Sequence, residues 1–174
     1  MQKVIKYVIF KTKWGYFGLA GTEYALCRTQ LPGPKPEKIK SLLLKNFHNP
    51  QLDKTFLRTL QEQITAYFEG VCMNFSRDVP LALEGFSSFG ISVLDACRAI
   101  EFGQTITYGQ LAKKSGRPAA SRAVGSVLAK NPLPLIIPCH RVIRSNGKLG
   151  GFSAPGGVTL KKRMLELEYT AIKA

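Results

Sequence analysis

The sequence predicts an α/β N-terminal domain, a three-stranded antiparallel sheet with helices, followed by a mainly α C-terminal domain with a winged-helix-like helix-turn-helix. Three observations predict it. Short runs rich in aromatic and β-branched residues, broken by glycine turns, fill the first thirty positions. Helical spacing of apolar residues takes over beyond them. Further on, two short helical segments meet at a turn around Gly116. With 174 residues the chain can hold one large domain or two small ones. A polar stretch containing Ser and Gly, 75–90, is the expected junction between residues 1–85 and residues 86–174.

In the first part, residues 4–10, 15–20 and 23–29 read as three strands of a meander, separated by turns at Lys13-Trp14-Gly15 and Gly21-Thr22. The cluster Pro32-Gly33-Pro34-Lys35-Pro36 breaks the sheet and sets up a helix over 37–47. A second helix is expected over 53–68. Phe56, Leu57, Leu60, Ile64 and Tyr67 fall at helical spacing, with Asp53 as N-cap and Gly70 as terminator. This region carries no reactive constellation and reads as a supporting domain.

In the second part, a helix over 91–100 has an apolar face of Ile91, Leu94 and Ile100. Thr107 can cap a helix over 108–115. After the Gly116-Arg117-Pro118 turn, Pro118 suits the first position of a helix running to Lys130. A last helix covers 159–169. The stretch Ala119 to Ser126 offers almost nothing that could reach base edges. Two readings of it stay open. Either the small residues only permit tight packing and Arg122 is solvated, or the helix lies against a groove and Arg122 inserts into a duplex.

Charge is the next signal. The net charge of +14 is uneven, and residues 102–165 hold eleven Lys or Arg and no Asp or Glu. Such concentration points to a polyanionic partner, for which nucleic acid is the obvious candidate. No apolar run approaches a membrane span, and Met1-Gln2-Lys3-Val4-Ile5-Lys6 lacks the apolar core of a signal peptide. A cytoplasmic protein without a membrane partner is expected. Cys27, Cys72, Cys97 and Cys139 are scattered and form no C-x-x-C pair, which argues against disulfides and zinc. The first three are expected to be small buried hydrophobes.

Cys139 differs. Pro138-Cys139-His140-Arg141-Val142 follows the apolar run Pro134-Leu135-Ile136-Ile137 and precedes a loop ending Gly150-Gly151. A thiol at such a boundary is anchored from behind and reachable from in front. Beside it stands one of only two histidines in the chain. Adjacent residues of an extended chain point to opposite sides, so a direct bond between Cys139 and His140 is not expected.

An ordered series of motifs adds to this: Phe102-Gly103, Thr107-Tyr108-Gly109-Gln110-Leu111-Ala112, Ser121-Arg122-Ala123-Val124-Gly125, Asn131-Pro132, Ile137 to Val142, and Gly150-Gly151-Phe152-Ser153. Together they resemble the methylated-DNA–protein-cysteine methyltransferases, the alkyltransferases that repair O6-alkylguanine. The resemblance covers about residues 86–169. It implies a single-turnover acceptor that takes the alkyl group from O6-alkylguanine in double-stranded DNA onto Cys139, inactivating itself and using no cofactor or metal. The residues support this independently. Dealkylation is substitution at an sp3 carbon, which suits a soft thiolate, and the thioether product offers water no acyl group to cleave.

The resemblance also implies roles. His140 would take the thiol proton through a water, oriented by a glutamate. The family's Leu-Leu-x-x-Glu pattern falls on Met164-Leu165-Glu166-Leu167-Glu168, which favours Glu168 over Glu166, roughly 200° away round the helix. Asn131 would brace the active-site loop. Tyr108 would crowd the target nucleotide, Arg122 would fill the vacated stack, and Ala120 and Ser121 would lie at the DNA. Val142, Ser145, Phe152 and Ser153 would form the lesion pocket, with main chain near Cys139 and Val142 reading the guanine edge. Minor-groove binding by a monomer, with the damaged base flipped out, is the implied mode. The chain departs from the pattern at Phe152, a frequent tyrosine, at Leu94, a frequent aromatic, and at Ala154-Pro155, which lengthens the loop after Ser153. Preference among methyl, bulkier adducts and O4-alkylthymine is left open. The competing readings are a non-catalytic module for alkylated DNA, a helix-turn-helix regulator and a Cys-His hydrolase. The first would lack Cys139, the second needs a base-reading helix, and the third does not suit acid-free surroundings.

Overall fold

The computed structural model describes residues 4–174. The first three residues, part of the short N-terminus and of the expected domain 1–85, lie outside the described residues. The chain separates into two compact units, one running to Ala82 and one from Leu83 to Ala174.

In the first unit, β1 (Lys6–Thr12), β2 (Gly15–Gly21) and β3 (Leu26–Gly33) form the antiparallel meander. A strand absent from the sequence reading joins them. The two-residue β4 (Gln51–Leu52) pairs parallel with β1, so the sheet is mixed and four-stranded, in the order β3-β2-β1-β4. Two residues are too few to show a period. The sheet also continues to Gly33, into the proline cluster that was expected to end it.

Strand alternation decides which helix covers which face. Ile9, Gly18, Tyr7 and Ala20 share one face, where α1 (Pro36–Leu43) packs Ile39 and Leu43 against Gly18. A Cβ on Gly18 would lie 2.9 Å from Leu43, so the bare backbone there lets the helix approach. Phe10 and Phe17 lie on the opposite face, and Phe17 meets Phe68 of α2 (Arg58–Phe68) with ring centroids 6.1 Å apart. Each such fully buried side chain contributes about 1.5–3 kcal/mol of transfer free energy.

Helix α2 starts five residues later than its spacing predicts. Asp53 does not cap it. Instead its carboxylate accepts from the Thr55 amide and hydroxyl at 2.9 and 2.7 Å, closing a local turn. Leu57, at φ +51°, occupies the position before α2. Gly70, at φ +89°, ends the helix as expected.

The second unit is mainly helical. Helix α3 (Ser88–Arg98) is capped by the Ser87 hydroxyl, which accepts from the Gly90 amide at 3.1 Å. It buries Val93, Leu94 and Cys97, whereas Ile91, expected on the apolar face, is 44% exposed. A short β5 (Ile106–Thr107) leads into α4 (Tyr108–Lys114). Thr107 and Gln110 close a reciprocal capping box there, with bonds of 3.1 and 2.7 Å. After the turn at Gly116 (φ +84°), α5 (Ser121–Leu128) begins three residues later than Pro118 suggests. Helices α3, α4 and α5 pack on one another. The strand β6 (Val142–Ile143) pairs parallel with β5, and α6 (Gly157–Lys173) lies against the Cys139–Arg141 turn. Among the described residues no helix is long and apolar enough to cross a membrane.

Candidate active site

Cys139, His140 and Arg141 form one turn of 3-10 helix between the apolar segment and β6. The backbone at the motif is therefore helical rather than extended. Asn131 holds the approach to it. Its amide nitrogen donates to the Ile137 carbonyl at 2.9 Å, and its oxygen accepts from the Leu133 amide at 2.9 Å. Between them Leu135 adopts φ +77°, a conformation that costs a non-glycine residue of order 1–3 kcal/mol and persists where its surroundings fix it.

Behind the turn lies a sealed charge cluster. Nε2 of His140 is 2.7 Å from Oε1 of Glu168, and the residues are 0% and 1% exposed. Arg141 grips the same carboxylate, donating from Nε to Oε2 at 3.0 Å and from Nη2 to Oε1 at 3.0 Å. Its Nη1 donates to the Ile100 carbonyl at 2.6 Å, and the Gly103 amide donates to Glu168 Oε2 at 3.1 Å. Burial alone would raise the Glu168 pKa, but His140 and Arg141 outweigh it and hold the carboxyl at about 2. Burial lowers the His140 pKa against the pull of Glu168. Glu166 points elsewhere, 3.7 Å from Lys162 on the exposed side of α6.

In front of the turn is an open cavity of about 620 Å³. Cys139 lines it together with Tyr108, Ser121, Arg122, Arg144, Phe152 and Ser153, and with α5 residues Gly125, Leu128 and Ala129. No carboxylate is among its lining residues. Cys139 is 8% exposed, and burial raises its pKa. Asn131, the charge of Lys161 and the amides of Cys139 and His140 oppose that rise. Tyr108 is fitted closely: a Cβ on Gly150 (φ +76°) would sit 2.9 Å from its hydroxyl. Among the described residues no group of three or more His, Cys, Asp or Glu side chains is placed to hold a metal ion.

The fold thus gathers Cys139, Tyr108, Ser121, Arg122, Phe152 and Ser153 around one cavity, with His140, Glu168 and Asn131 around its thiol. Ala120 precedes α5 outside the lining, and Ser145 sits exposed in the turn after β6. Val142 is buried, and its main chain is already engaged: its amide bonds the Cys139 carbonyl and its carbonyl accepts from Lys161. Two participants were missed. Arg141 stood in the motif without a role, and Lys161 carried no sequence signal beyond a charge. Of the other thiols, Cys97 is buried and Cys27 half-buried, while Cys72, expected inside, is exposed.

Comparison with known proteins bears on the same residues. The chain is 40% identical over 163 residues to the methylated-DNA–protein-cysteine methyltransferase of Methanosarcina acetivorans, spanning 93% of this chain and 97% of that one. It belongs to the methylated-DNA–protein-cysteine methyltransferase family. The family model for the DNA-binding domain of 6-O-methylguanine DNA methyltransferase matches residues 88–170, from the start of α3 into α6. Among solved methyltransferases, the Mycobacterium tuberculosis O6-methylguanine methyltransferase superposes with a TM-score of 0.76 at 32% identity, covering 97% of this chain and 94% of that one. A structure of the OGT from that organism in complex with DNA gives 0.77 at 33% identity, covering 95% and 94%.

Proposed function

We propose that the chain repairs DNA by direct reversal, moving an alkyl group from O6 of guanine onto the sulfur of Cys139 in a single irreversible event. One observation carries this reading: Cys139 borders the open cavity that Tyr108 and Arg122 also line, while the His140–Glu168 pair is sealed behind it. The thiol proton leaves through a water to His140, whose imidazolium is stabilised by the Glu168 carboxylate. The thiolate attacks the alkyl carbon in line with its bond to O6. The carbon–sulfur bond forms, the carbon–oxygen bond breaks, and its electron pair returns to O6. Guanine recovers its carbonyl and takes the proton on its ring. The thioether has no route back.

The cavity opens beside α5, so the base reaches it by leaving the stack, which alkylation makes less costly by weakening the pair. Ala120, Ser121 and Gly125 present little bulk, which suits close approach to a shallow minor groove. Arg122 is exposed on α5 and lines the cavity, a position from which it fills the gap. Tyr108 crowds the phosphate of the turned nucleotide, and Phe152 and Ser153 wall the lesion; Asn131 keeps the loop under the thiol rigid. Binding is dominated by phosphate contacts and acts as a monomer, so affinity falls steeply with salt.

The test is a duplex carrying one O6-methylguanine, followed by intact mass and peptide mapping. One methyl per chain on Cys139 is expected, and Cys139→Ala removes transfer while leaving DNA binding. A methyl on Cys72 or Cys97, or repeated turnover, overturns the reading.

A further inference from the structure

Among the residues that line the cavity at Cys139, two carry a fixed charge, Arg122 and Arg144, and none is a carboxylate. Arg122 belongs to α5, and the duplex accounts for it. Arg144 enters from another wall, directly after β6. The backbone fixes its place. In the β5–β6 ladder Ile143 stands opposite Thr107, so Arg144 and Tyr108 follow at the same end. The Arg144 amide donates to the Lys148 carbonyl at 2.8 Å, and the Arg144 carbonyl accepts from the Gly147 amide at 3.0 Å. Gly147 closes this turn at φ +79°. The charge is felt inside as well. Burial raises the Tyr108 pKa and lowers that of Lys161, and Arg144 counters the first change and adds to the second.

A methyl group gives a guanidinium nothing to bind. The wall of Gly125, Leu128, Ala129 and Phe152 already suits an apolar substituent. At about 620 Å³ the cavity is in the range that holds a drug-sized molecule, so a group longer than methyl fits beside the base. An adduct ending in a carboxylate is what a guanidinium recognises best, because its planar fork matches two oxygens. Such an adduct also meets a difficulty that no neutral one has. Its negative charge faces the thiolate that must attack it.

We propose that Arg144 is a specificity-determining residue that admits O6-guanine adducts carrying a carboxylate, of which O6-carboxymethylguanine is the simplest. The inference rests on the transfer reaction proposed above and names a substrate class for it. The guanidinium binds the carboxylate at the cavity wall and offsets its repulsion from the Cys139 thiolate. The sulfur attacks the methylene carbon. The carbon–sulfur bond forms, and the carbon–oxygen bond breaks with its electron pair returning to O6. The thiol proton ends on the guanine ring, and Cys139 becomes S-carboxymethylcysteine.

The experiment compares single-turnover transfer from two duplexes, one with O6-carboxymethylguanine and one with its neutral isostere O6-carbamoylmethylguanine. Carboxylate and amide share a shape, so the ratio of the two rates isolates the charge. A general loss of base flipping or DNA affinity cancels from it. In the wild type the anionic adduct should react at least about as fast as the neutral one. Arg144→Gln should lower the ratio about tenfold or more, and Arg144→Lys, which keeps the charge but not the fork, should fall between. A ratio in Arg144→Gln that matches the wild type overturns the proposal. Equal slowing of both adducts with weaker DNA binding is such a match, and marks Arg144 as a phosphate contact. A wild-type ratio below about one tenth overturns the proposal without any variant. Absence of any methyl on wild-type Cys139 after an O6-methylguanine duplex would overturn the function itself. Methyl transfer with an unmoved ratio overturns only the part given to Arg144.

Discussion

Oε1 of Glu168 accepts from His140 at 2.7 Å and from Arg141 at 3.0 Å, so a single oxygen orients the proposed base and neutralises a buried guanidinium. Removing this carboxylate strands the Arg141 charge. Glu168→Ala should lose about 3–5 kcal/mol of stability, read by urea unfolding. Glu168→Gln keeps the shape but not the charge, and its transfer rate should fall roughly a hundredfold in single-turnover assays. A Gln variant as fast as the wild type would deny Glu168 its orienting role.

Acid should act through the same pair. His140 has its pKa lowered from the ordinary 6.5, and Glu168 has its own lowered from 4.5 to about 2. Each therefore binds more protons in the unfolded chain, and stability falls as pH falls. The loss begins below 6.5, where His140 charges only when unfolded, and steepens between 4.5 and about 2 as Glu168 is neutralised. The urea midpoint followed downward from neutral pH should trace this decline, and Glu168→Gln should flatten its acid limb. A midpoint that does not move across that range would contradict the linkage.

Arg122 is exposed on α5 and lines the cavity. Arg122→Ala should leave stability within about 0.5 kcal/mol, since the side chain is exposed. Transfer from a duplex should slow, while alkylation of Cys139 by a small soluble electrophile stays unchanged. Equal duplex kinetics in both proteins would remove its role as the inserted side chain.

Gly150 offers a sharper steric test. At φ +76°, with its missing Cβ 2.9 Å from the Tyr108 hydroxyl, Gly150→Ala meets both backbone strain and a clash. The cost should be about 1–3 kcal/mol, accompanied by slower transfer as Tyr108 shifts. In a Tyr108→Phe background the stability cost should shrink, because the closest atom is gone. Additive costs would show that the ring already yields.

Much of the site was legible because its chemistry is local. Thr107 and Gln110 announce a capping box three residues apart, and Cys139 with His140 stands at a visible boundary between apolar run and loop. Glu168 was chosen over Glu166 by its place in a motif, and helix geometry puts the two on different sides of α6. What escaped depends on tertiary burial. Lys161 and Lys162 are neighbours of the same residue type, yet one is sealed and the other exposed, and only packing against the Cys139 turn separates them. Arg141 likewise reads as one cation among eleven until Glu168 and the Ile100 carbonyl close on it. In the first unit β4 is too short for any pattern, and Asp53 met two claims, a helix cap and a local turn, of which the turn won.

Helix α6 brings both Lys161 and Glu168, and both follow Cys139 in the chain. During synthesis the sulfur therefore leaves the ribosome before the carboxylate that, in the proposed mechanism, orients its base. On that mechanism a nascent or prematurely stopped polypeptide would carry an unarmed thiol, with competence arriving when the closing helix docks. For a molecule that can be used once, that order guards it against being spent before it is finished.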